Sequence, residues 1–339
     1  MENLLLALIL AVMLPNLFVA GMHDVPNAIA IPTRTRALTP KVATRLAAAA
    51  TALGVLMTYP LGGHLYAWLD LPNMEPQLLL AVVLSALISV LGWNLFTYFR
   101  GMPTSVTHAI LAAVLGGALA TMLIGGTDTT EVLSLPWAAP LLTLLVSPLV
   151  AFGMAYLLVF LAARLARGAD PSAVNETSRT VQSVCAGLTS LGTGLQQGQR
   201  FTFILLLALP AAGIEDGESW MPAIYLVSAA LIGMGCLTGG WRIGHMLGHR
   251  LVTIDPMRGM ISTATTSGLL FVGSLALTLP LSTSLTAASS VIGAGSNQRF
   301  ATVNWPQAIR LLLYWAATPL VAGTAAAVLV LAMSPLLSY

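Results

Sequence analysis

Three polar side chains near the N-terminus, His23, Asp24 and Asn27, lie inside the mostly apolar run 2–33. An ionised carboxylate within a bilayer costs several kcal/mol unless it is paired or coordinates a ligand. Pro26 removes one helical hydrogen bond and frees a backbone carbonyl. Carboxylate, amide and carbonyl oxygens suit Na⁺, and Asp24 alternatively takes a proton. Two purely structural alternatives stay open. Asp24 could be an acid at a helix cap near the interface, and His23 could be a hydrogen-bonded structural residue.

A second polar group, Pro103-Thr104-Ser105, has the composition of a helix start. A helix that begins within the membrane directs unpaired N–H groups and the positive end of its dipole inward, which binds an oxyanion without any arginine. A second helix start of this composition lies later in the chain, at Pro280-Leu281-Ser282-Thr283. Ordinary helix caps, and a packing role for His108, are the alternatives. The residues expected to contact an anion are Thr104, Ser105, His108, Ser282, Thr283 and His23.

The composition shows which elements must position these groups. Hydrophobic residues make up 57% of the 339 residues and charged residues only 8%, against about 25% charged in a typical soluble domain. Long apolar runs recur throughout, which predicts an all-α polytopic membrane protein in contact with lipid. The net charge of +2 gives no indication of nucleic acid binding. The sequence contains neither a phosphate-binding Gly-Lys-Ser/Thr loop nor a nucleophile–base arrangement, so we expect no enzyme activity and no cofactor.

About ten membrane crossings are predicted, some of them broken. The first overlong run, 2–33, is expected to break at 21–27, and a second overlong run covers 181–214. The other predicted crossings are 43–69, 77–99, 104–125, 135–163, 220–241, 259–279, 281–297 and 306–333.

Loop charge predicts the orientation. The loops 34–45, 164–179 and 242–258 are rich in arginine and should be cytoplasmic, whereas acidic loops should face outside. The acidic loops are 70–75, 126–131 and 215–218. Five crossings per half force the second half to insert upside down, as in transporters with inverted repeats. We therefore expect a first repeat at 1–166, a cytoplasmic linker at 167–180 and an inverted second repeat at 181–339.

Two motifs recur at nearly equal intervals, which supports the repeat. Pro103–His108 aligns with Pro280–Leu285, and Gly21–Asp24 aligns with Gly194–Gln197 at almost the same offset along the chain. Glycines also match, Gly116 in the first half and Gly293 in the second. Two motifs at matched spacing are much more specific than either motif alone.

The N-terminal motif resembles that of the inorganic phosphate transporter (PiT) family. It reads Gly21-Met22-His23-Asp24-Val25-Pro26-Asn27-Ala28 and is followed by Thr35-Arg36-Ala37-Leu38. Three later motifs extend the resemblance over almost the whole chain: Trp93-Asn94-Leu95-Phe96-Thr97, Gly101–His108 and Gly240-Trp241-Arg242. The resemblance implies a symporter of inorganic phosphate in the cell (inner) membrane, driven by Na⁺ in some members and by H⁺ in others.

The second half departs from the family. Members usually read His-Gly-Ala-Asn-Asp where this chain reads Thr193-Gly194-Leu195-Gln196-Gln197. Gln197 still offers an oxygen ligand but cannot balance a cation, so we expect coupling to fewer cations, with Arg200 as an alternative counter-charge. A sulfate permease and a non-transporting regulatory or partner subunit remain alternative functions. Whether the chain forms a homo-oligomer also stays open.

Overall fold

The computed structural model describes residues 1–61, 74–125, 138–214, 217–272, 281–297 and 303–337. Within these ranges the chain is almost entirely helical, and the only β pairing there is an isolated bridge between Val252 and Val303. The α-helices are α1 (Glu2–Asp24), α2 (Pro26–Arg34), α3 (Pro40–Leu61), α4 (Pro76–Phe99), α5 (Val106–Leu123), α6 (Ala138–Leu165), α7 (Pro171–Ala211), α8 (Met221–Leu237), α9 (Trp241–His245), α10 (Pro256–Phe271), α11 (Thr283–Ser296) and α12 (Trp305–Met333). Short 3₁₀ turns cover Gly217–Trp220 and Ser334–Leu336, and a π-helical turn covers Met246–Leu251.

Six helical spans in the described residues are long and apolar enough to cross a membrane, and a seventh results if one bent pair counts as a single span. A helical, multi-spanning fold is therefore confirmed, whereas the number of ten crossings remains a prediction. Several predicted features lie outside the described residues: Pro280, and most of the acidic loops with Asp70, Asp128, Glu131, Glu215 and Asp216.

The expected break at 21–27 is much smaller than predicted. Val25 alone separates α1 from α2, its backbone is right-handed helical, and the two helices form one span of 33 residues. The Val25 N–H still donates to the Gly21 carbonyl at 3.1 Å, so the helical path survives the bond that Pro26 cannot make. A bend of 49° occurs instead between α8 and the helical segment Trp241–Leu251.

The Met22 carbonyl, which Pro26 leaves without its usual helical partner, packs against the backbone of Gly240. A Cβ at Gly240 would lie 2.4 Å from the Met22 oxygen, and Gly240 has a φ of +53°. Only glycine suits both the close approach and the left-handed backbone. This contact joins the first polar motif to the bend before α9.

Helix α7 is a continuous helix of 41 residues. Pro171 occupies its first turn, and the Asp170 carboxylate accepts a hydrogen bond from the Ala173 N–H at 3.2 Å. The predicted linker 167–180 is consequently mostly helical. Helix α7 packs against α3, α10, α4 and α1, which carries its middle into the centre of the protein.

Helices α6 and α12 form the periphery. Only 22% of the apolar window in α6 and 28% of that in α12 is buried within the protein, against 72% for α4. Large aliphatic side chains line the outer face of α6, since Leu145, Leu149 and Leu157 are all exposed. Such a surface is compatible with lipid and not with water. The polar motifs, in contrast, are buried in the interior of the protein.

Candidate functional site

The polar residues of the first motif are buried at the junction of α1 and α2. The exposed fraction is 0% for His23, 2% for Asp24 and 8% for Asn27. Because the helix continues through Val25, Asp24 and Asn27 are three residues apart and lie on neighbouring positions of one helical face. Asp24 is therefore buried among helices, although it is the last residue of α1.

Asp24 contacts the residue that aligns with it in the second half. The Gln197 Nε2 atom on α7 donates to Asp24 Oδ2 at 2.9 Å, and also to the Ala20 carbonyl at 3.2 Å. The other carboxylate oxygen lies 3.8 Å from His23 Nδ1. The structure thus brings two of the predicted cation ligands into direct contact.

His23 faces the segment that leads into α5. Its Nε2 atom lies 3.1 Å from the Thr97 hydroxyl and 3.4 Å from the Thr104 hydroxyl. Thr104 in turn donates to Thr97 at 3.1 Å. His23 and Thr104, both predicted anion ligands, are consequently neighbours, and Thr97 of the Trp-Asn-Leu-Phe-Thr motif connects them.

Two buried serines cap the helices α5 and α11 in the same way. Ser105 accepts from the His108 N–H at 3.1 Å, and Ser282 accepts from the Leu285 N–H at 3.3 Å. Their backbone angles nearly coincide, with φ −91° and ψ 111° for Ser105 and φ −89° and ψ 115° for Ser282. Each serine is 1% exposed. A capping hydroxyl accepts one bond and keeps its own proton available to donate.

The two remaining predicted anion ligands have different surroundings. Thr283 is the first residue of α11 and is 3% exposed. The His108 ring is only half-buried and makes no hydrogen bond to any described side chain, so that residue enters the cap through its backbone N–H alone. A direct contact of the His108 ring with an anion stays a prediction.

Three further residues, Ser284, Thr107 and Arg200, complete the arrangement, and the sequence reasoning assigned an anion-binding role to none of them. The Asn27 amide donates to the Ser284 hydroxyl at 2.9 Å, and the Arg200 guanidinium donates to the Thr107 hydroxyl at 2.9 Å. A buried arginine therefore lies beside a helix start that was expected to attract an anion without one. The predicted repeat could have pointed to these residues, since Ser284 follows Thr107 at the same interval as Ser282 follows Ser105.

The oxygen atoms near Asp24 suit a hard cation. Three buried oxygen atoms receive no hydrogen bond from the residues described: Asp24 Oδ1, Asn27 Oδ1 and Gln197 Oε1. Oxygen ligands of this kind fit Na⁺ and leave transition metals without their usual ligands. The described residues contain no group of three or more His, Cys, Asp or Glu side chains that could hold a metal ion.

The described residues leave little free space around the site. A cavity of only about 10 Å³ lies beside Asn27, and Ser262, Thr263 and Thr266 line it, which is at the lower limit for a single water molecule. This cavity by itself is too small for an ion together with its water ligands.

Comparison with known proteins adds an independent line of evidence. The sequence pattern of the phosphate transporter family matches residues 20–326. A relative from Bacillus subtilis (strain 168), named "Probable low-affinity inorganic phosphate transporter", is 30% identical over 315 residues, which cover 92% of each chain. A relative of the same name from Rhizobium meliloti (strain 1021) is 31% identical and covers 89% of this chain and 88% of its own.

A solved structure described as "The sodium-dependent phosphate transporter" superposes with a TM-score of 0.76. The superposition covers 98% of this chain and 100% of the other chain, at 18% sequence identity. The two proteins therefore share the fold.

Proposed function

The chain belongs to the phosphate transporter family, and we propose from this membership that it carries inorganic phosphate across the cell membrane together with a coupling cation. The family is one of transporters rather than enzymes. The observation that carries the proposal is the pair of buried, serine-capped helix starts of α5 and α11, each tied by a hydrogen bond to the helix that holds the polar motif of the other half.

The anion is bound between these two helix starts. Each start presents backbone N–H groups and the positive end of a helix dipole. The hydroxyl protons of Ser105 and Ser282 add donors, and Thr104, Thr283, His108 and His23 contribute from the surrounding shell. Tetrahedral oxyanions accept such bonds on several oxygens at once, which suits phosphate.

The cation binds at Asp24. The carboxylate supplies the charge, and the oxygens of Asn27 and Gln197 supply neutral ligands without competing donors. We propose Na⁺ as the coupling ion, because Asp24, Asn27 and Gln197 each hold a buried oxygen without a hydrogen-bond donor and because the structural neighbour is described as sodium-dependent. Proton coupling through Asp24 is the alternative that the transport assay distinguishes.

An inverted repeat with about ten crossings organises the site in this proposal. The packing of the described helices supports it, because the contacts of half one (1–166) have counterparts in half two (181–339). Helix α1 packs on α8 as α7 packs on α3, helix α5 packs on α12 as α11 packs on α6, and α1 packs on α4 as α7 packs on α10. Each half then contributes five elements, and 167–180 connects them.

Close helix contacts at matched glycines support the same repeat. A Cβ at Gly21 would lie 2.1 Å from the Ile232 carbonyl oxygen, and a Cβ at Gly194 would lie 2.1 Å from the Thr51 carbonyl oxygen. Both glycines therefore let the motif helix of one half approach the backbone of the other half.

The three arginine-rich segments are joined by hydrogen bonds, which supports a common cytoplasmic side. Arg179 donates to the Thr35 carbonyl at 3.0 Å. Gln182 accepts from the Thr35 hydroxyl at 2.7 Å and donates to the Pro256 carbonyl at 2.8 Å. Loops 34–45, 164–179 and 242–258 are thereby connected through the first turns of α7.

Transport follows from a movement of the halves around the closed site. The hydrogen bonds from Gln197 to Asp24, from Asn27 to Ser284 and from Arg200 to Thr107 all cross between the halves. Rocking one half against the other loosens these contacts on one side at a time, which admits ions from that side only.

Uptake of labelled phosphate and labelled sulfate by proteoliposomes that contain this protein alone tests the proposal. We expect phosphate uptake that depends on an inward Na⁺ gradient. Sulfate uptake in place of phosphate uptake would establish the oxyanion permease, and a pH-gradient dependence without Na⁺ would establish proton coupling. Absence of all uptake by folded protein would favour the regulatory or partner subunit and contradict the proposal.

A further inference from the structure

Arg200 stands at the half-two position that corresponds to Asn27. Gln197 follows Asp24 at the same interval along the chain as Arg200 follows Asn27. Half one therefore carries an acid and an amide one turn apart, whereas half two carries an amide and a guanidinium. The acid and the guanidinium differ in sign, so the two halves present opposite charge to the centre of the site.

The contacts of Asn27 and Arg200 are equivalent as well. Asn27 donates to Ser284, and Arg200 donates to Thr107, both at 2.9 Å. Ser284 and Thr107 each lie two positions after the serine that caps their helix. The two side chains consequently reach matching points in the first turns of α11 and α5.

The position of Arg200 makes the start of α5 strongly positive. A guanidinium is charged at every physiological pH, and Arg200 is 1% exposed, so water screens its charge very little. Its hydrogen bond to Thr107 holds it at the first turn of α5, where the helix dipole adds positive potential. An anion bound there lowers the electrostatic energy of both groups.

The aligned position in half one, Asn27, favours a cation rather than an anion. Asn27 Oδ1 is a buried acceptor without a hydrogen-bond donor among the described residues, and Asp24 lies one turn before it. Those oxygens attract a cation. Half two lacks the carboxylate and fills the position of the amide ligand with a positive side chain.

We propose that Arg200 binds the transported phosphate at the start of α5, as a permanent positive charge in the half where no carboxylate holds a second coupling cation. The proposal rests on phosphate transport as the function and deepens it. The planar fork of a guanidinium donates two parallel hydrogen bonds to two oxygens of one phosphate. Since Arg200 stays with the protein, it neutralises the bound anion without adding a charge to the flux.

The first test replaces Arg200 and measures phosphate half-saturation in the Na⁺-driven uptake assay. Arg200→Asn should raise half-saturation about tenfold or more, because a hydrogen-bonded charge is lost from the anion. Arg167→Asn is the matched control, since Arg167 is exposed between α6 and α7, and it should behave as the wild type. Unchanged half-saturation in folded Arg200→Asn would overturn the proposal.

The second test restores the half-one pair in half two. Gln197→Asp combined with Arg200→Asn gives α7 an acid and an amide at the interval found in α1 and α2. Uptake should recover relative to Arg200→Asn alone, and the Hill slope for Na⁺ should rise from one toward two. A slope that stays at one would show that Arg200 does not stand in for a cation.

Arg200→Lys keeps the inference testable if Arg200→Asn does not fold. Lysine retains the charge but not the fork, so half-saturation for phosphate should rise by at least about threefold while the Na⁺ slope stays at one. Wild-type half-saturation in this variant would contradict the proposal. Failure of the wild type itself to take up phosphate would instead reject the proposed function, so the two failures are distinguishable.

Discussion

The two proposed repeats present equivalent helix caps but carry different charges beside them. Ser105 and Ser282 cap α5 and α11 with nearly identical geometry, but the motif helices that reach these caps differ. Half one supplies Asp24 and Asn27, and half two supplies Gln197 and Arg200. In the proposed repeat, both halves keep a capped helix start for the anion, and only half one carries an acid at the motif position. The experiments below, together with the substitutions of Arg200, test that division of labour.

The largest effect is expected from Asp24→Asn, which keeps the size of the side chain but removes the only carboxylate of the motif. Uphill accumulation of phosphate should be lost, because no charge remains to hold the coupling cation. Radiolabelled uptake against a phosphate gradient measures this, with size-exclusion profiles to verify folding. Glu2→Gln on the same helix is the control and should transport normally. Wild-type accumulation by Asp24→Asn would remove the basis for a cation site in half one.

Removal of either serine cap should weaken phosphate binding by the same amount. Ser105→Ala and Ser282→Ala each remove a donor to a charged ligand, so half-saturation for phosphate should rise about tenfold. Loss of the cap also costs about 1 kcal/mol of stability, whereas glycine costs only a few tenths. Ser105→Gly therefore separates the effects, since it should keep its stability and still lose affinity.

Ser190→Ala on α7 is the control for both cap variants, because its hydroxyl donates to the Ala186 carbonyl in the same helix at 2.8 Å. It should change neither half-saturation nor the cation dependence. If phosphate affinity were unchanged in both Ser105→Ala and Ser282→Ala, the anion would bind elsewhere.

A smaller effect is expected from Asn27→Ala, which removes a neutral ligand from the cation. The half-saturating Na⁺ concentration should rise about fivefold, as for the loss of one uncharged polar interaction, and that for phosphate should change less. Asn16→Ala is the control for loss of a buried amide. Asn16, like Asn27, is buried, and on α1 it donates to the carbonyls of Val12 and Leu87. It should lower the melting temperature without changing the Na⁺ dependence. The reverse pattern would assign Asn27 a purely structural role.

The smallest change is expected from Gln197→Asp alone. The new carboxylate lies beside Asp24 but only one turn from Arg200, which can pair with it. The Hill slope for Na⁺ should therefore stay near one. A rise to two in this single variant would mean that Arg200 does not control the second position, and would weaken the contrast between the halves.

Much of the helical plan was predictable from apolar runs bounded by proline, glycine and charge. The predicted crossings 77–99 and 306–333 differ by one residue at most from the ends of α4 and α12. The start of α7 was missed by ten residues, because the polar segment after Asp170 was interpreted as a loop, although Asp170-Pro171 is itself a helix-start signal.

The site was predictable in its parts and not in its connections. Local sequence identifies Asp24 as a buried acid and Ser105 as a cap, because both signals depend on near neighbours in the chain. The contact of Arg200 with Thr107 joins residues 93 positions apart, and no local rule predicts it. Only the predicted repeat could have led to it, through the pair Asn27 and Ser284 at the aligned positions.

The central claim is that Asp24 holds one coupling cation while Arg200 supplies the second positive charge from the protein itself. The ratio of labelled Na⁺ to labelled phosphate entering proteoliposomes, with charge movement recorded in parallel, tests this most directly. We predict one cation per phosphate, a Hill slope near one and little inward positive current. Two cations per phosphate, with a slope near two and net positive charge entering, would contradict the account.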